Sequence, residues 1–165
     1  MTPYSKVFDS FKDLIIRDTT LFINNPNQDI VLKVSEDRML KLLSHAITNI
    51  VLVRDSRNFQ INFMEIRDDM NMQFTEMLTD IEIDLLAYFM WQCYIDEEFT
   101  LRFKELRRMG FSDKEITIFS PANTLKEFTS CVATLKSENT QRVIEYKRRD
   151  RKNLSLKGYK FNVEG

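Results

Sequence analysis

Apolar residues recur along this chain at three- and four-residue spacing in four places, with polar breaks between them. That periodicity predicts four helices. In the first, Val7, Phe8, Phe11, Leu14 and Ile15 share a face while Lys6, Asp9, Lys12 and Asp13 turn outward, with Thr2-Pro3 as the cap. In the second, Ser35 caps a stripe of Met39, Leu40, Leu42, Leu43, Ala46, Ile47, Ile50 and Val51 wide enough to be core.

The third helix opens on a capping box. In Thr79-Asp80-Ile81-Glu82 the Thr79 hydroxyl can accept the Glu82 N–H while the Glu82 carboxylate accepts the Thr79 N–H, with Leu78 and Ile83 placed for a hydrophobic staple. The helix is expected to run to Met109 and stop at Gly110, about 40 Å at 1.5 Å per residue. Its first turn is acidic (Asp80, Glu82, Asp84) and its last basic (Arg107, Arg108), as the helix dipole prefers. From Ile81 to Ile95, through Leu85, Leu86, Tyr88, Phe89, Met90, Trp91 and Tyr94, it is apolar nearly all round, and beyond Asp96 it is mostly charged. Its first half is therefore expected in the core and its second half projecting outward or meeting a partner.

Ser120 and Pro121 open the fourth helix, Ser120 as N-cap and Pro121 at the first helical position. Its seam runs Leu125, Phe128, Val132, Leu135, Asn139, Arg142, Tyr146. Because the seam loses apolar character, the helix is expected to dock by its first half and leave its basic end exposed.

Extended segments are short. A hairpin is expected from Thr20–Ile23 and Ile30–Val34 around Asn24 to Gln28, and Ile116-Thr117-Ile118 reads as an extended connector. Phe59 to Phe63 alternates with period two, and Met72 to Met77 is its expected partner across an Arg67-Asp68-Asp69 turn. The fold class is mainly α: a helical bundle with two long helices, minor short strands or hairpins, and an extended C-terminal tail. Residues 1–145 form the core domain, and 146–165 form the basic helix end and tail.

Composition narrows the function. At 165 residues with 13 Phe and 8 Met the chain can bury a real core, and 3 Gly and 3 Pro are too few for a sandwich, a barrel or a phosphate-cradling loop. Cys93 and Cys131 have no partner spacing and no basic neighbour to activate them, so they read as buried inert thiols in a reducing compartment. The start lacks the basic and apolar stretches of a signal peptide, and no run approaches the length of a membrane span. A soluble protein is expected.

The candidate chemistry is thin. His45 is the sole histidine and has no Cys, Asp or Glu at ligand spacing on its helix. Asp96, Glu97 and Glu98 are successive helical residues that point in different directions, so they suit a neighbour's arginines better than one metal ion. No triad, zincin helix or Gly-rich loop is present. The reading is a non-enzyme with no cofactor and no catalytic or metal-ligating residue.

Charge is the strongest remaining signal. Between Arg142 and Lys160 eight basic and two acidic residues give +6, so with a net charge of −1 the remainder carries −7. The residues expected to meet a partner are Tyr146, Lys147, Arg148, Arg149, Arg151 and Lys152, with Tyr159 and Phe161 in the tail, and Asp96, Glu97 and Glu98 as a complementary acidic patch. Such an arm serves self-association or nonspecific phosphate contact equally well. Its aromatics do not interleave with charge as on a nucleic-acid platform.

A set of ordered positions resembles a known family. Tyr4-Ser5, Phe8-Asp9 and Phe11, then Phe74, Leu78 to Ile83, Leu86-Ala87 and Met90, then Ser120, Ala122-Asn123 and Leu125-Lys126 are similar to small head-to-tail connection proteins of tailed bacteriophages. The resemblance implies a helical neck adaptor that packs in a ring, commonly of twelve copies, beneath the portal and around the DNA channel. It implies as partners the chain itself, the portal protein and tail or neck proteins, with nonspecific proximity to genomic DNA and no membrane. The implied location is the virion neck, after assembly in the host cytoplasm. The alternative is a small nucleic-acid-binding regulator using the basic arm, against which stand the acidic remainder and the lack of a recognition helix.

Overall fold

A computed structural model of the chain describes residues 1–17, 35–53, 61–108 and 122–151. Its elements are β1 (Thr2–Pro3), α1 (Tyr4–Arg17), α2 (Glu36–Leu52), β2 (Arg67–Asp68), β3 (Gln73–Phe74), α3 (Asp80–Arg108) and α4 (Ala122–Arg148). The architecture is mainly helical with a few short strands. Helix α3 is the axis: α1, α2 and α4 each pack against it. With α3 at 29 residues and α4 at 27, the two long helices are present.

The core follows the helical periodicity. Val7, Phe8, Phe11 and Ile15 of α1 and Met39, Leu42, Leu43, Ala46, Ile47 and Ile50 of α2 are buried against Leu85, Leu86, Phe89, Met90 and Cys93 of α3. Ser35 caps α2 by accepting the Arg38 N–H (3.3 Å). The stripe is narrower than the sequence suggests, because Val51 in the last turn of α2 is exposed. Burial of nearly every α3 side chain from Ile83 to Ile95 matches its all-round apolar character.

The small sheet differs from expectation. Its order is β1-β3-β2, all antiparallel, with Phe74 opposite both Thr2 and Arg67, and Gln73 opposite both Pro3 and Asp68. Arg67-Asp68, expected as a turn, is a strand. The reversal falls at 69–72, where Asp68 accepts from the Asn71 backbone (3.2 Å) and side chain (2.7 Å) and Met72 takes a left-handed φ of 53°. Residues 61–63, expected as strand, bend instead. The Asn62 side chain accepts the Met64 N–H (3.2 Å) and its carbonyl accepts from Glu65 and Ile66, an Asx-type turn that outcompetes a ladder while still burying Ile61 and Phe63. Thr2, expected as a helix cap, lies in β1, and its hydroxyl accepts the buried Leu78 N–H at 2.8 Å.

The expected hairpin at 20–34, the connector at 116–118, the α3 stop at Gly110, the cap at Ser120 and the tail at 152–165 lie outside the described residues. So do Phe59 and Gln60.

Truncation of Leu86, which has no solvent exposure, should separate core from surface. Leu86→Ala is expected to lose ~2–5 kcal/mol in chemical denaturation, against under ~0.5 kcal/mol for Val51→Ala. Equal losses would contradict the central placement of α3.

Candidate functional site

The polar centre of the molecule is the first turn of α3. The capping box forms as its residue types require: the Glu82 carboxylate accepts the Thr79 N–H (2.8 Å) and the Thr79 hydroxyl accepts the Glu82 N–H (3.4 Å). Glu82 is nevertheless wholly buried. A carboxylate stripped of water needs more than one donor, and the end of the chain supplies the others. The Tyr146 hydroxyl donates to Glu82 Oε1, and Arg151 donates Nε to Oε1 at 2.7 Å and Nη2 to Oε2 at 3.4 Å. Arg151 also reaches Glu76 Oε2 (3.1 Å) and the Met77 carbonyl (2.9 Å).

This geometry corrects the docking expected of α4. Leu135, Asn139, Val143 and Tyr146 are buried, so the second half of the helix packs on α3 and its basic end is not left wholly exposed. The seam continues because Val143 replaces Arg142 on the buried line, while the Arg142 guanidinium lies over the Tyr88 ring at 3.8 Å. Asn139 stays in the seam by donating to Gln92 Oε1 (2.9 Å) and to the Tyr88 carbonyl (3.2 Å).

The residues expected to meet a partner thus divide. Tyr146 is core and Arg151 is clasped within the chain. Lys147 is half-buried, and Arg148 and Arg149 are exposed. Lys152, Tyr159 and Phe161 lie outside the described residues. The acidic patch is engaged in cis: Asp96 with Lys136 (2.9 Å), Glu98 with Arg38 (2.8 Å), and Glu97 3.7 Å from both Arg38 and the exposed His45. These half-exposed pairs are each worth little.

The role of Glu82 beyond its cap was missed, although a signal existed. Positions 82, 86, 89 and 93 lie on one helical face, so a carboxylate stands in line with Leu86, Phe89 and Cys93 and must find distant donors.

Cys93 is buried beside α2, accepting from the Asn49 side chain (3.2 Å), and burial pushes its thiol up to about 11. The Cys131 side chain lies outside what is described. Among the described residues no group of three or more His, Cys, Asp or Glu could hold a metal ion, and no helix is long and apolar enough to cross a membrane. The chain matches no protein-family model, no curated protein and no solved structure.

Two tyrosines make the fold sensitive to alkali. Burial and then the Glu82 carboxylate push Tyr146 far above the ordinary 10.0, and burial followed by Asp69, to which its hydroxyl donates at 2.9 Å, pushes Tyr4 to about 12. A raised folded-state pKa means that the stabilisation is complete below the unfolded value and is lost as pH rises through the folded one. Stability should therefore hold to about pH 8, above which the unfolded Cys93 thiol, ordinarily at 9.0, ionises while the buried one does not. Above about pH 10 the fall should steepen toward roughly 1.4 kcal/mol per pH unit for each tyrosine. Urea midpoints measured from pH 8 to pH 11 should show this fall, with a shallower slope in Tyr146→Phe. Identical slopes in the two proteins would contradict the buried Tyr146–Glu82 contact.

Proposed function

We propose that the chain is a structural protein of a tailed-bacteriophage neck, a non-enzymatic adaptor that packs side by side in a ring beneath the portal, around the DNA channel. The observation that carries this reading is where the resembling positions fall. Tyr4, Phe8, Phe11, Phe74, Leu78, Ile83, Leu86, Ala87 and Met90 are all buried in one continuous core. Tyr4 and Phe74 meet edge to face at 4.9 Å, and Thr79 and Glu82 close the capping box at its rim. These nine positions form one packed unit, the amino-terminal strand and helix on the start of α3, while Ser5, Asp9 and Asp80 of the same set are exposed and the side chains from Ser120 to Lys126 lie outside what is described.

Partners on this reading are further copies of the chain, the portal, and tail or neck proteins. The groups assigned to them are the exposed Arg148 and the basic residues that follow Arg151 in the sequence. Genomic DNA passes nearby without sequence-specific contact. Commitment of Tyr146 and Arg151 to Glu82 removes two of the groups that a nucleic-acid regulator would use.

Mass spectrometry of purified virions from the genome that carries the gene tests the proposal. The chain should be present at a fixed copy number, and joining of heads to tails should fail when Arg148 and Lys152 are both changed to Glu. The isolated double variant should stay within ~0.5 kcal/mol per site of wild-type stability. A chain absent from virions, that binds duplex DNA tightly at physiological salt with a log-log salt slope falling by about one per charge reversed, would overturn the adaptor and favour the regulator.

A further inference from the structure

A further polar contact between α3 and α4 is buried beside the apolar seam. Asn139, with no solvent exposure, donates from its side-chain nitrogen to the Tyr88 carbonyl (3.2 Å) and to Gln92 Oε1 (2.9 Å), one turn apart on α3. Arg142, three residues further along α4, lays its guanidinium over the Tyr88 ring, with Cζ 3.8 Å from the ring centre. Both side chains therefore converge on the same turn of α3.

Two buried atoms there have no hydrogen-bond partner in the chain: Asn139 Oδ1 and Arg142 Nε. They are complementary, since an amide oxygen only accepts and a guanidinium N–H only donates. Turning the Asn139 amide over does not help, because its oxygen would then face the Tyr88 carbonyl, which has no proton to give. Residues three apart on a helix are neighbours, yet the two atoms are not bonded to each other.

The direction of the guanidinium sets them facing. Nε–H and Nη2 lie along one edge of the planar fork, and Nη2 is 3.8 Å from Glu138 Oε2. That edge points back along α4 to the turn holding Glu138 and Asn139, with Nη2 on the side of the exposed Glu138 and Nε on the side of the buried Asn139. Whatever joins the pair must accept from Nε and donate to Oδ1. A cation is repelled by the guanidinium, and an anion has no proton for Oδ1. Water does both, and a buried water needs about two to four such partners.

We propose that a single water molecule is bound between α3 and α4, accepting from Arg142 Nε–H and donating to Asn139 Oδ1. It completes the hydrogen bonding of the α4 seam one turn before the Tyr146–Glu82 contact. It also makes Arg142 part of the helix pairing rather than a solvated charge. The site lies within one chain, so it stands whether or not copies assemble into a ring.

A crystal structure of the full-length protein that resolves ordered water tests this. One water should lie within ~3.2 Å of both Asn139 Oδ1 and Arg142 Nε. In Arg142→Met, which keeps an apolar stem over Tyr88 but removes the donor, that water should be lost. A direct Asn139–Arg142 hydrogen bond, another protein partner for either atom, or a water that touches only one of them would overturn the proposal. A water kept at the same place in Arg142→Met would overturn it as well, because Nε would then not be what holds it. If that variant does not fold, the wild-type structure alone decides.

Discussion

The Glu82 carboxylate, sealed from water in the first turn of α3, is the group that the rest of the structure is arranged around. A buried charge is costly unless its lone pairs are filled. Here they are filled by donors from three stretches of chain: the Thr79 N–H locally, the Tyr146 hydroxyl from α4, and Arg151 from beyond α4. The position also suits an anion, since the N-terminal end of a long helix carries partial positive charge. Removing any one donor leaves the same buried oxygen atoms short of a partner. The connector before α3 and the carboxy-terminal helix are thus bound to one another through a single side chain.

Apolar burial alone would leave the second half of α4 loosely specified. In its described second half the seam alternates Leu135 and Val143 with Asn139 and Tyr146, and that half taken alone could slide by a turn at modest cost. The Asn139–Gln92 bond and the Tyr146–Glu82 bond fix the register, because a shifted helix would bury both donors without acceptors. Helices α1 and α2 have continuous apolar faces and need no such device.

What the sequence discloses follows from the distance between partners. The Ser35 cap and the Thr79–Glu82 box join residues three apart, so residue type and spacing announce them, and both are present. The faces of α1 and α2 were legible for the same reason. The partners of Glu82 lie 64 and 69 residues away, and no local pattern points to them. The strands are two residues long, too short to display an alternation, and β1 finds β3 across the whole of α1 and α2. Tyr146 and Arg151 stood out as part of a charge run, yet a charge run does not say which of its members fold back. Arg148 is exposed while Arg151, three residues on, is clasped.

The claim that Glu82 joins α4 to the body is tested most directly by a double-mutant cycle between Glu82→Gln and Tyr146→Phe in equilibrium unfolding. Each single change also disturbs other contacts, the capping box above all, and the cycle cancels those effects. A coupling energy of at least about 1 kcal/mol is predicted for the pair, within the range of directly bonded residues. Additivity to within ~0.3 kcal/mol would show that the two side chains do not share a load, and would contradict the account.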